Sequence, residues 1–210
     1  MRSSSRFGQN GAMDDSLPKL ILVRHGETAW SASGKHTGLT DIALTQRGER
    51  DARALFAPLA KLRPKLVLTS PLQRAAVTAT LAGFSDAVRD DDLVEWDYGN
   101  FEGRTTKDIQ IERPGWRQFV DGCPAGESLA AVSARADRLV ARVRAVRGDA
   151  LLFAHRDILR VVIARWIALP AVDGCRVNLA TASISTLGYD HDLSESMILK
   201  LNETHDTASQ

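Results

Sequence analysis

The sequence predicts an α/β fold, a three-layer α/β/α sandwich around a mostly parallel central sheet. Apolar runs over residues 19–23, 65–69 and 150–154 are too short for ordinary helices and are rich in Leu and Val, which is typical of buried strands. Segments with helical periodicity lie between these runs. Strands that alternate with helices favour a parallel sheet covered by helices on both faces.

The length indicates one domain, and the net charge indicates no strong overall electrostatic field. The 210 residues, of which 44% are hydrophobic, can bury one substantial core. With 27 Lys and Arg against 26 Asp and Glu, the net charge is +1. No general attraction for nucleic acid or a membrane surface follows from that charge, so any attraction for an anion must be local.

The expected location is the cytoplasm. The longest apolar stretch, residues 158–169, is shorter than the roughly 20 residues that a membrane span needs, and Arg160 and Arg165 interrupt it. Cys123 and Cys175 have neither the number nor the spacing of a disulfide framework or a zinc site, which suits structural thiols in a reducing compartment.

The ends of the chain are expected to lie outside the folded domain. Residues 1–17 are mostly polar and rich in Ser and Gly, without the apolar centre of a secretory signal, which predicts a disordered N-terminal extension. We expect the domain to occupy residues 18–204 and residues 205–210 to form a flexible tail.

The first two helices follow from periodicity and from capping signals. A helix that opens at Thr45 places apolar side chains on one face, namely Ala52, Leu55, Phe56 and Leu59. The next helix follows the second strand. There Ser70 can act as the N-cap, Pro71 occupies the first helical position, and Gln73 completes a capping box.

The rest of the chain predicts two more helices and two strands. A helix over about residues 127–146 carries an apolar stripe and is stopped by Gly148; the stripe consists of Leu129, Val132, Ala136, Leu139, Val140 and Val143. A fourth helix over residues 157–169 ends at Pro170, and alternating stretches at 183–189 and 196–201 read as strands. Residues 86–126 have weak periodicity and predict loops and short helices.

Basic residues follow the three predicted strands that open this pattern. The first strand is followed by Arg24 and His25, the second by the helix that carries Arg74, and the third by His155 and Arg156. In open α/β sheets, ligands bind beyond the carboxyl ends of the strands. We therefore expect these side chains to converge at one edge of the sheet.

This set of side chains suits phosphoryl chemistry. Arginine offers a planar fork of donors that matches phosphate oxygens, and the helix start after Ser70 adds backbone N–H groups. A neutral, oriented His25 can attack phosphorus as a nucleophile, while Gly26 lets the backbone turn sharply or approach a ligand. His155 can donate a hydrogen bond to the oxygens on which charge builds up.

Cleavage of a phosphate ester also needs a proton donor for the leaving oxygen. Residues 94–103 hold three carboxyl groups, those of Glu95, Asp97 and Glu102. A carboxyl group beside a dianionic substrate has its pKa raised by like charge and desolvation, which favours the protonated form. Glu95 is the preferred acid because it follows two apolar residues and can point inward, whereas Glu102 flanks a glycine turn.

Other polar and aromatic residues receive no catalytic role. We expect three histidines without sequence partners to lie on the surface: His36, His191 and His205. Arg160 and Arg165 are expected to be solvated or ion-paired. The aromatic residues after Glu95 can wall a pocket or fill the edge of the core, and both interpretations stay open for Trp96, Tyr98 and Phe101.

Four stretches in this order, LVRHGET, SPLQRA, EWDYGNFEG and FAHRDILR, resemble the histidine phosphatase superfamily, also called the phosphoglycerate mutase-like superfamily. The resemblance covers about residues 19–202. The stretches EWDYGNFEGRTTKDI, DGCPAGES and TASISTLGY look like the branch of small acid and sugar-phosphate phosphatases. The resemblance implies a phosphoglycerate mutase-like fold, a phosphohistidine at His25, Arg24, Arg74 and His155 around the phosphoryl group, and Glu95 as the proton donor.

The resemblance also implies substrate contacts, and the chain departs from the family pattern at two positions. The loop after the first motif implies that Thr28, Thr37 and Gly38 contact substrate. Ser31 stands where mutases commonly carry Asn. Arg156 stands where the family usually has Gly, so its side chain either crowds the phosphate or adds a third cation as a substrate-binding group.

The expected activity is hydrolysis of small phosphomonoesters of the sugar phosphate or phosphoglycerate type. Two alternatives stay open: phosphoryl transfer of the mutase type, and a catalytically impaired phosphate-binding or regulatory protein. About sixty residues separate Glu95 from His155, which leaves little chain for the covering segments of a mutase. No metal-binding or P-loop motif occurs in the sequence. We expect no cofactor and no metal, a small phosphorylated substrate as partner without nucleic acid or membrane, and a homodimer as an open question.

Overall fold

A computed structural model describes residues 17–205. Residues 1–16 of the predicted extension and residues 206–210 of the predicted tail lie outside this range. Leu17, which the sequence places in the extension, packs against the main core. Within residues 17–205, no helix combines the length and the apolar character that crossing a bilayer requires.

A six-stranded sheet forms the centre of the molecule. Its strands are β1 (Leu20–Arg24), β2 (Leu66–Thr69), β3 (Val88–Arg89), β4 (Ala150–Ala154), β5 (Ile184–Tyr189) and β6 (Ser196–Glu203). The order across the sheet is β3-β2-β4-β1-β5-β6. The pairs β3/β2, β2/β4 and β4/β1 are parallel, whereas β5 runs antiparallel to both β1 and β6. The predicted mostly parallel α/β architecture is confirmed.

Helices cover the sheet and build its loops. They are α1 (Ala29–Ser33), α2 (Gln46–Ala54), α3 (Phe56–Leu59), α4 (Gln73–Leu81), α5 (Thr106–Glu112), α6 (Gln118–Asp121), α7 (Leu129–Ala145) and α8 (Arg156–Trp166), with 3-10 turns at 91–93, 99–101 and 171–176. Strands β1 and β4 are buried along almost their whole length, because separate apolar clusters cover the two faces of the sheet. The region 86–126 contains the short helices that the sequence predicts.

The register of the sheet brings three strand ends to one edge. Arg24 pairs with Ala154 and Thr69 pairs with Phe153. The pairing continues past the strands, since the His25 amide donates to the Ala154 carbonyl at 2.9 Å. Parallel pairing in this register therefore places the residues that follow β1, β2 and β4 side by side.

The first predicted helix is wrong in one respect, because it divides into α2 and α3. Thr45 is the N-cap, as predicted, but Pro58 lies where a continuous helix needs an N–H donor to the carbonyl four residues earlier. Ala52, Leu55 and Leu59 are buried, whereas Phe56 is 56% exposed. The break turns Phe56 off the apolar face, and its ring lies against Gly83.

The predicted capping box at the second helix is also wrong. Helix α4 begins at Gln73, and its N-cap residue, Leu72, makes no side-chain cap. The Gln73 amide instead donates to the Asp41 carboxylate at 2.8 Å. Ser70 Oγ faces the sheet edge, where it lies 2.8 Å from His155 Nε2. Ser70 Oγ also accepts the Leu72 amide at 3.3 Å, so the hydroxyl serves His155 and the turn before α4 and does not cap the helix.

Helix α7 lies inside its predicted bounds, whereas α8 starts one residue before and ends three residues before the predicted bounds of 157–169. Ser128 caps α7, which starts at Leu129 and ends at Ala145, and the predicted apolar stripe is buried apart from the partly exposed Leu129. Helix α8 starts at Arg156, directly after His155, and ends at Trp166. Its N-terminus therefore opens at the same sheet edge as the strand ends.

Candidate active site

A polar pocket lies at the sheet edge where these strand ends meet. Its lining comprises Arg24, His25, Ser31, Gly34, Lys35, His36, Thr37, Glu95, Tyr98, Thr106 and Arg156. These residues come from β1, the loop around α1, residues 95–106 and the start of α8. The pocket thus joins four segments that are far apart in sequence.

His25 lies at the floor of this pocket with its ring oriented by the backbone. The side chain is 5% exposed, and Nδ1 lies 2.7 Å from the Gly26 carbonyl oxygen. A carbonyl only accepts, so Nδ1 carries the proton and Nε2 keeps its lone pair. Burial, followed by the charges of Arg24 and Arg74, holds the pKa of His25 well below its ordinary value. The ring is therefore neutral at neutral pH and presents a free nitrogen.

Gly26 allows the tight backbone path behind this histidine. A Cβ atom at Gly26 would lie 2.4 Å from the Gly48 carbonyl oxygen, which belongs to α2. The Gly26 amide donates to Thr78 Oγ1 at 3.0 Å, which connects the loop to α4. A larger residue would push the loop away from α2 and α4 and would displace His25.

Arg24 brings a positive charge with an unused donor to the floor. Its Nη1 donates to the Leu179 carbonyl at 2.6 Å, while Nε is buried and has no hydrogen-bond partner among the described residues. Burial, followed by the charge of Arg156, lowers the pKa of Arg24 to about 10, so the group stays cationic at neutral pH. A buried, unpaired donor is costly unless it meets a ligand, and an oxyanion satisfies it.

His155 stands beside His25 and is held by Arg74 and Ser70. The two imidazole centroids are 5.2 Å apart. Arg74 Nε donates to His155 Nδ1 at 3.0 Å, so Nε2 carries the proton of the neutral ring and donates to Ser70 Oγ at 2.8 Å. Burial, followed by the charge of Arg74, keeps the pKa of His155 well below its ordinary value.

Arg74 is fully buried and connects the loop after α1 to the site. Besides His155, its guanidinium donates to three loop carbonyls, those of Thr37, Gly38 and Thr40, at 2.8 to 3.3 Å. One N–H of Nη1 has no partner within residues 17–205. Arg74 therefore orients His155 and shapes the loop, with one donor left.

Glu95 points inward, as predicted, with 3% of its surface exposed. Its carboxylate accepts backbone N–H groups from Trp96 (2.9 Å), Ile158 (2.9 Å) and Asp157 (3.0 Å). Two of these amides belong to the first turn of α8. Burial, followed by the negative charge of Asp157, raises the pKa of Glu95, and the three N–H groups oppose this rise. By contrast, Glu102 binds the amides of Gly38 and Thr40.

Asp157 is a buried charge that the sequence analysis did not identify. Its carboxylate accepts the Tyr98 hydroxyl and pairs with Arg160 at 2.7 Å and with Arg156 at 3.2 Å. The cations next to it keep the pKa of Asp157 below its ordinary range despite its burial. Asp157 thus places a fixed negative charge next to Glu95 and anchors the side chain of Arg156.

The structure separates the predicted substrate contacts. Thr37 lines the pocket. Thr28 is fully buried and caps α1, where its Oγ1 accepts the Ser31 amide at 3.1 Å. Gly38 donates its amide to Glu102, and a Cβ there would lie 2.6 Å from the Trp96 carbonyl oxygen. Thr28 and Gly38 shape the loop, and a direct contact of either with substrate stays a prediction.

His36 corrects the expectation of a surface residue. It is 6% exposed and lines the pocket, with its ring centroid 4.7 Å from that of Tyr98 and 5.5 Å from that of Trp116. Its Nε2 lies 3.1 Å from Thr106 Oγ1. Burial lowers the pKa of His36 to about 4, so the ring is neutral. His191 is exposed, as predicted.

The aromatic residues after Glu95 divide between the two open interpretations. Tyr98 both lines the pocket and packs in an apolar cluster with Phe101, whereas Trp96 packs in the main core. Arg160 and Arg165 are ion-paired, with Asp157 and Asp137 respectively, as predicted.

Away from the site, three exposed or half-buried groups lie close enough to share a cation: Asp190, His191 and Glu195. They lie in and beside the turn between β5 and β6 and pair with one another. Among residues 17–205, no such group of possible metal ligands lies at the pocket.

Known proteins are similar to this chain in sequence and in fold. The family model of the histidine phosphatase superfamily, branch 1, matches residues 20–203. An acid phosphatase from Mycobacterium tuberculosis is 41% identical over 87% of this chain and 92% of its own length. The sedoheptulose 1,7-bisphosphatase of Saccharomyces cerevisiae is 34% identical over 86% of this chain and 78% of its own length.

Solved structures agree with this result. A Mycobacterium tuberculosis open reading frame product, 40% identical, superposes with a TM-score of 0.85 over 90% of this chain and 99% of that one. The matched segment holds the pocket and all of its lining. The chain belongs to the histidine phosphatase superfamily, branch 1.

Proposed function

We propose that the protein hydrolyses small phosphomonoesters through a phosphohistidine intermediate on His25, with Glu95 as the proton donor. The observation that carries this proposal is the state of His25, whose neutral ring is fixed through Nδ1 and presents Nε2 to a cationic pocket. A nucleophile held in this way needs no further activation before it attacks phosphorus.

In the first step, the Nε2 lone pair of His25 forms a bond to phosphorus while the bond from phosphorus to the ester oxygen breaks. Burial and the charge of Asp157 raise the pKa of Glu95, which favours its protonated form, and in this step Glu95 donates its proton to the departing oxygen. The alcohol leaves, and the phosphoryl group stays on His25. The position of Glu95 in the same pocket supports this assignment.

In the second step, water attacks the phosphohistidine. The Glu95 carboxylate takes a proton from the water as the new oxygen–phosphorus bond forms and the nitrogen–phosphorus bond breaks. Inorganic phosphate leaves, and both residues return to their starting states. One carboxyl group thus serves as the acid in the first step and as the base in the second.

Four residues are assigned to stabilising the transferring group. The unpaired Nε–H of Arg24 and the backbone N–H of Arg156, at the N-terminus of α8, suit phosphoryl oxygens. His155 Nε2–H, which Ser70 accepts in this structure, can turn its donor toward the same oxygens. Arg74 keeps His155 in the tautomer that this role requires, and its remaining Nη1 donor is assigned to the phosphoryl group.

The relatives support a small phosphorylated metabolite as substrate. They include a sedoheptulose 1,7-bisphosphatase and a phosphoserine phosphatase, the latter 30% identical over 90% of this chain. A mycobacterial glucosyl-3-phosphoglycerate phosphatase, solved with VO3, is 27% identical with a TM-score of 0.79. Thr37 and Arg156, which line the pocket, are assigned to substrate binding. A cytoplasmic location suits the free thiols of Cys123 and Cys175.

Mutase activity is the second candidate, because a probable phosphoglycerate mutase from Cronobacter sakazakii is 34% identical over 81% of this chain. In a mutase, the substrate must turn before water reaches the phosphohistidine. Hydrolysis is favoured because the helices between Glu95 and α7, namely α5 and α6, are short. They leave little chain to cover the site and keep water from the phosphohistidine.

The test is phosphate release from a panel of phosphomonoesters, run beside a mutase assay on 3-phosphoglycerate. We expect phosphate release in the presence of a chelator and its loss in His25→Ala. His191→Ala, an exposed histidine in the turn before β6, is the matched control and should keep full activity. Full activity of His25→Ala would overturn the proposal, and isomerisation without phosphate release would favour the mutase.

A further inference from the structure

The pocket has a second group of cations that the two chemical steps do not use. Arg156 and Lys35 line it together with Arg24, His25 and Glu95. The Arg156 side chain is 40% exposed and Lys35 is exposed, whereas His25 is 5% exposed. The reacting floor and this cationic mouth therefore lie at different depths of one pocket.

The Arg156 guanidinium is held so that one edge stays open. Its Nε donates to Asp157 Oδ1 at 3.2 Å and its Nη2 to Oδ2 at 3.5 Å. Asp157 is itself fixed by Arg160 and Tyr98. Both N–H groups of Nη1 and one of Nη2 have no partner within residues 17–205, and together they form a fork that suits a carboxylate or a phosphate. Because the side chain is already anchored, binding an anion orders it little further.

The charge around the mouth is unbalanced. Among the described residues that line the pocket, the only carboxyl group is Glu95, which lies at the floor and is bound by three amides. Asp157 faces Arg156 from behind and is shared with Arg160. Lys35 lines the pocket, and its ammonium lies 5.7 Å from the centroid of the Trp30 ring. A substrate with a single phosphoryl group engages the floor and leaves this mouth facing water.

We propose that Arg156 is a specificity-determining residue that, with Lys35, binds a second oxyanion of the substrate while the ester phosphoryl group lies at His25. The shared chemistry is a carboxylate or a second phosphate on the distal end of a phosphomonoester. This inference rests on the proposed function, because the position of the phosphoryl group at His25 defines which end of the substrate reaches the mouth.

The experiment compares kcat/KM within two pairs of substrates. O-Phosphoserine and phosphoethanolamine differ by one carboxylate; fructose 1,6-bisphosphate and fructose 6-phosphate differ by one phosphate. We expect the wild type to prefer the member with the second anion in at least one pair, which identifies the source of that anion. In Arg156→Gln, this preference should fall by about tenfold, as expected for loss of one charge-assisted hydrogen-bonded contact.

Three further variants keep the test decisive. Lys35→Gln, on an exposed loop residue, should reduce the preference by about threefold, in the range of an exposed ion pair. Arg156→Lys should restore part of it, since it keeps the charge without the fork. Lys200→Gln, an exposed cation on β6, should leave the preference unchanged.

A preference that is the same in the wild type, Arg156→Gln and Lys35→Gln would overturn the inference and leave the proposed function intact. A rise in kcat/KM for the second-anion substrates in Arg156→Gln would also overturn it, by showing that the side chain obstructs the mouth. Absence of phosphate release from every substrate by the wild type would overturn the proposed function and the inference together.

Discussion

Replacing Glu95 by Gln tests the proton-donor assignment most specifically. The amide has nearly the shape of the carboxyl group but cannot supply the proton. Its oxygen can keep the N–H groups of Trp96 and Ile158, while its NH2 group then faces the Asp157 amide. One buried N–H loses its acceptor, at a cost of about 1–3 kcal/mol. This is a fraction of the free energy of unfolding of an ordinary domain, so the variant should fold.

The effect on activity should depend on the leaving group. General acid catalysis contributes about 10²- to 10⁴-fold when the leaving oxygen is strongly basic. We expect Glu95→Gln to lower kcat/KM for glycerol 3-phosphate by that factor and for p-nitrophenyl phosphate by less than about tenfold, since nitrophenolate needs little protonation. The parameter kcat/KM is chosen because it reports the steps up to the first departure of product.

Glu102→Gln is the matched control. Glu102 also binds backbone amides, those of Gly38 and Thr40, but it does not line the pocket. Any loss in this variant should be similar for the two substrates. If Glu95→Gln lowered kcat/KM equally for glycerol 3-phosphate and p-nitrophenyl phosphate, the acid would have to be another group.

Three further predictions follow from the buried polar groups. In Arg74→Lys, the ammonium group cannot donate to His155 and to three carbonyls at once. The free energy of unfolding measured in urea should therefore fall by about 2–4 kcal/mol, and an unchanged midpoint would contradict this. In the proposed mechanism the protonated form of Glu95 is the active one, so kcat/KM for glycerol 3-phosphate should fall as pH rises through its raised pKa. Asp157→Asn removes a charge that raises this pKa, so the fall should move to lower pH; a fall at unchanged pH would refute the coupling. His36 has a pKa of about 4 when folded and of about 6.5 when unfolded, so the native state binds fewer protons than the unfolded state. The free energy of unfolding of the wild type should therefore fall by up to about 3 kcal/mol as the pH drops from 6.5 to 4. Urea unfolding at pH 7 and at pH 4 measures this difference, and in His36→Gln the fall in the free energy of unfolding should be smaller by that amount.

The sequence could predict the residues whose positions follow from strand register. Parallel strands that end at one edge bring Arg24, His25 and His155 together whatever the loops do. The inward position of Glu95 followed from the apolar residues before it, and the structure confirms it. Each of these positions depends on a local pattern joined to one general rule of α/β sheets.

Other features depend on contacts that local patterns do not contain. His36 is buried by Tyr98 and Trp116, which lie many residues later in the chain. Ser70 has the sequence of a helix cap, but His155 takes its hydroxyl. The anion at Asp157 is stabilised by Tyr98, Arg156 and Arg160 together, and a sequence pattern does not reveal such a set.

One error had a signal in the sequence. Pro58 lies inside the helix predicted from Thr45, and its missing N–H breaks the continuous ladder. The proline therefore predicts a break close to Phe56, and the structure has Phe56 exposed at the start of α3.

The central claim is that imidazole 25 carries the phosphoryl group during turnover, and trapping that species tests it most directly. The protein would be mixed with a phosphomonoester, denatured in alkali, where a nitrogen–phosphorus bond survives, and digested for mass spectrometry. We predict one phosphoryl group on the peptide that contains His25, the same result in His191→Ala, and no label in His25→Ala. A phosphoryl group on a peptide without His25, or equal labelling of His25→Ala, would contradict the account.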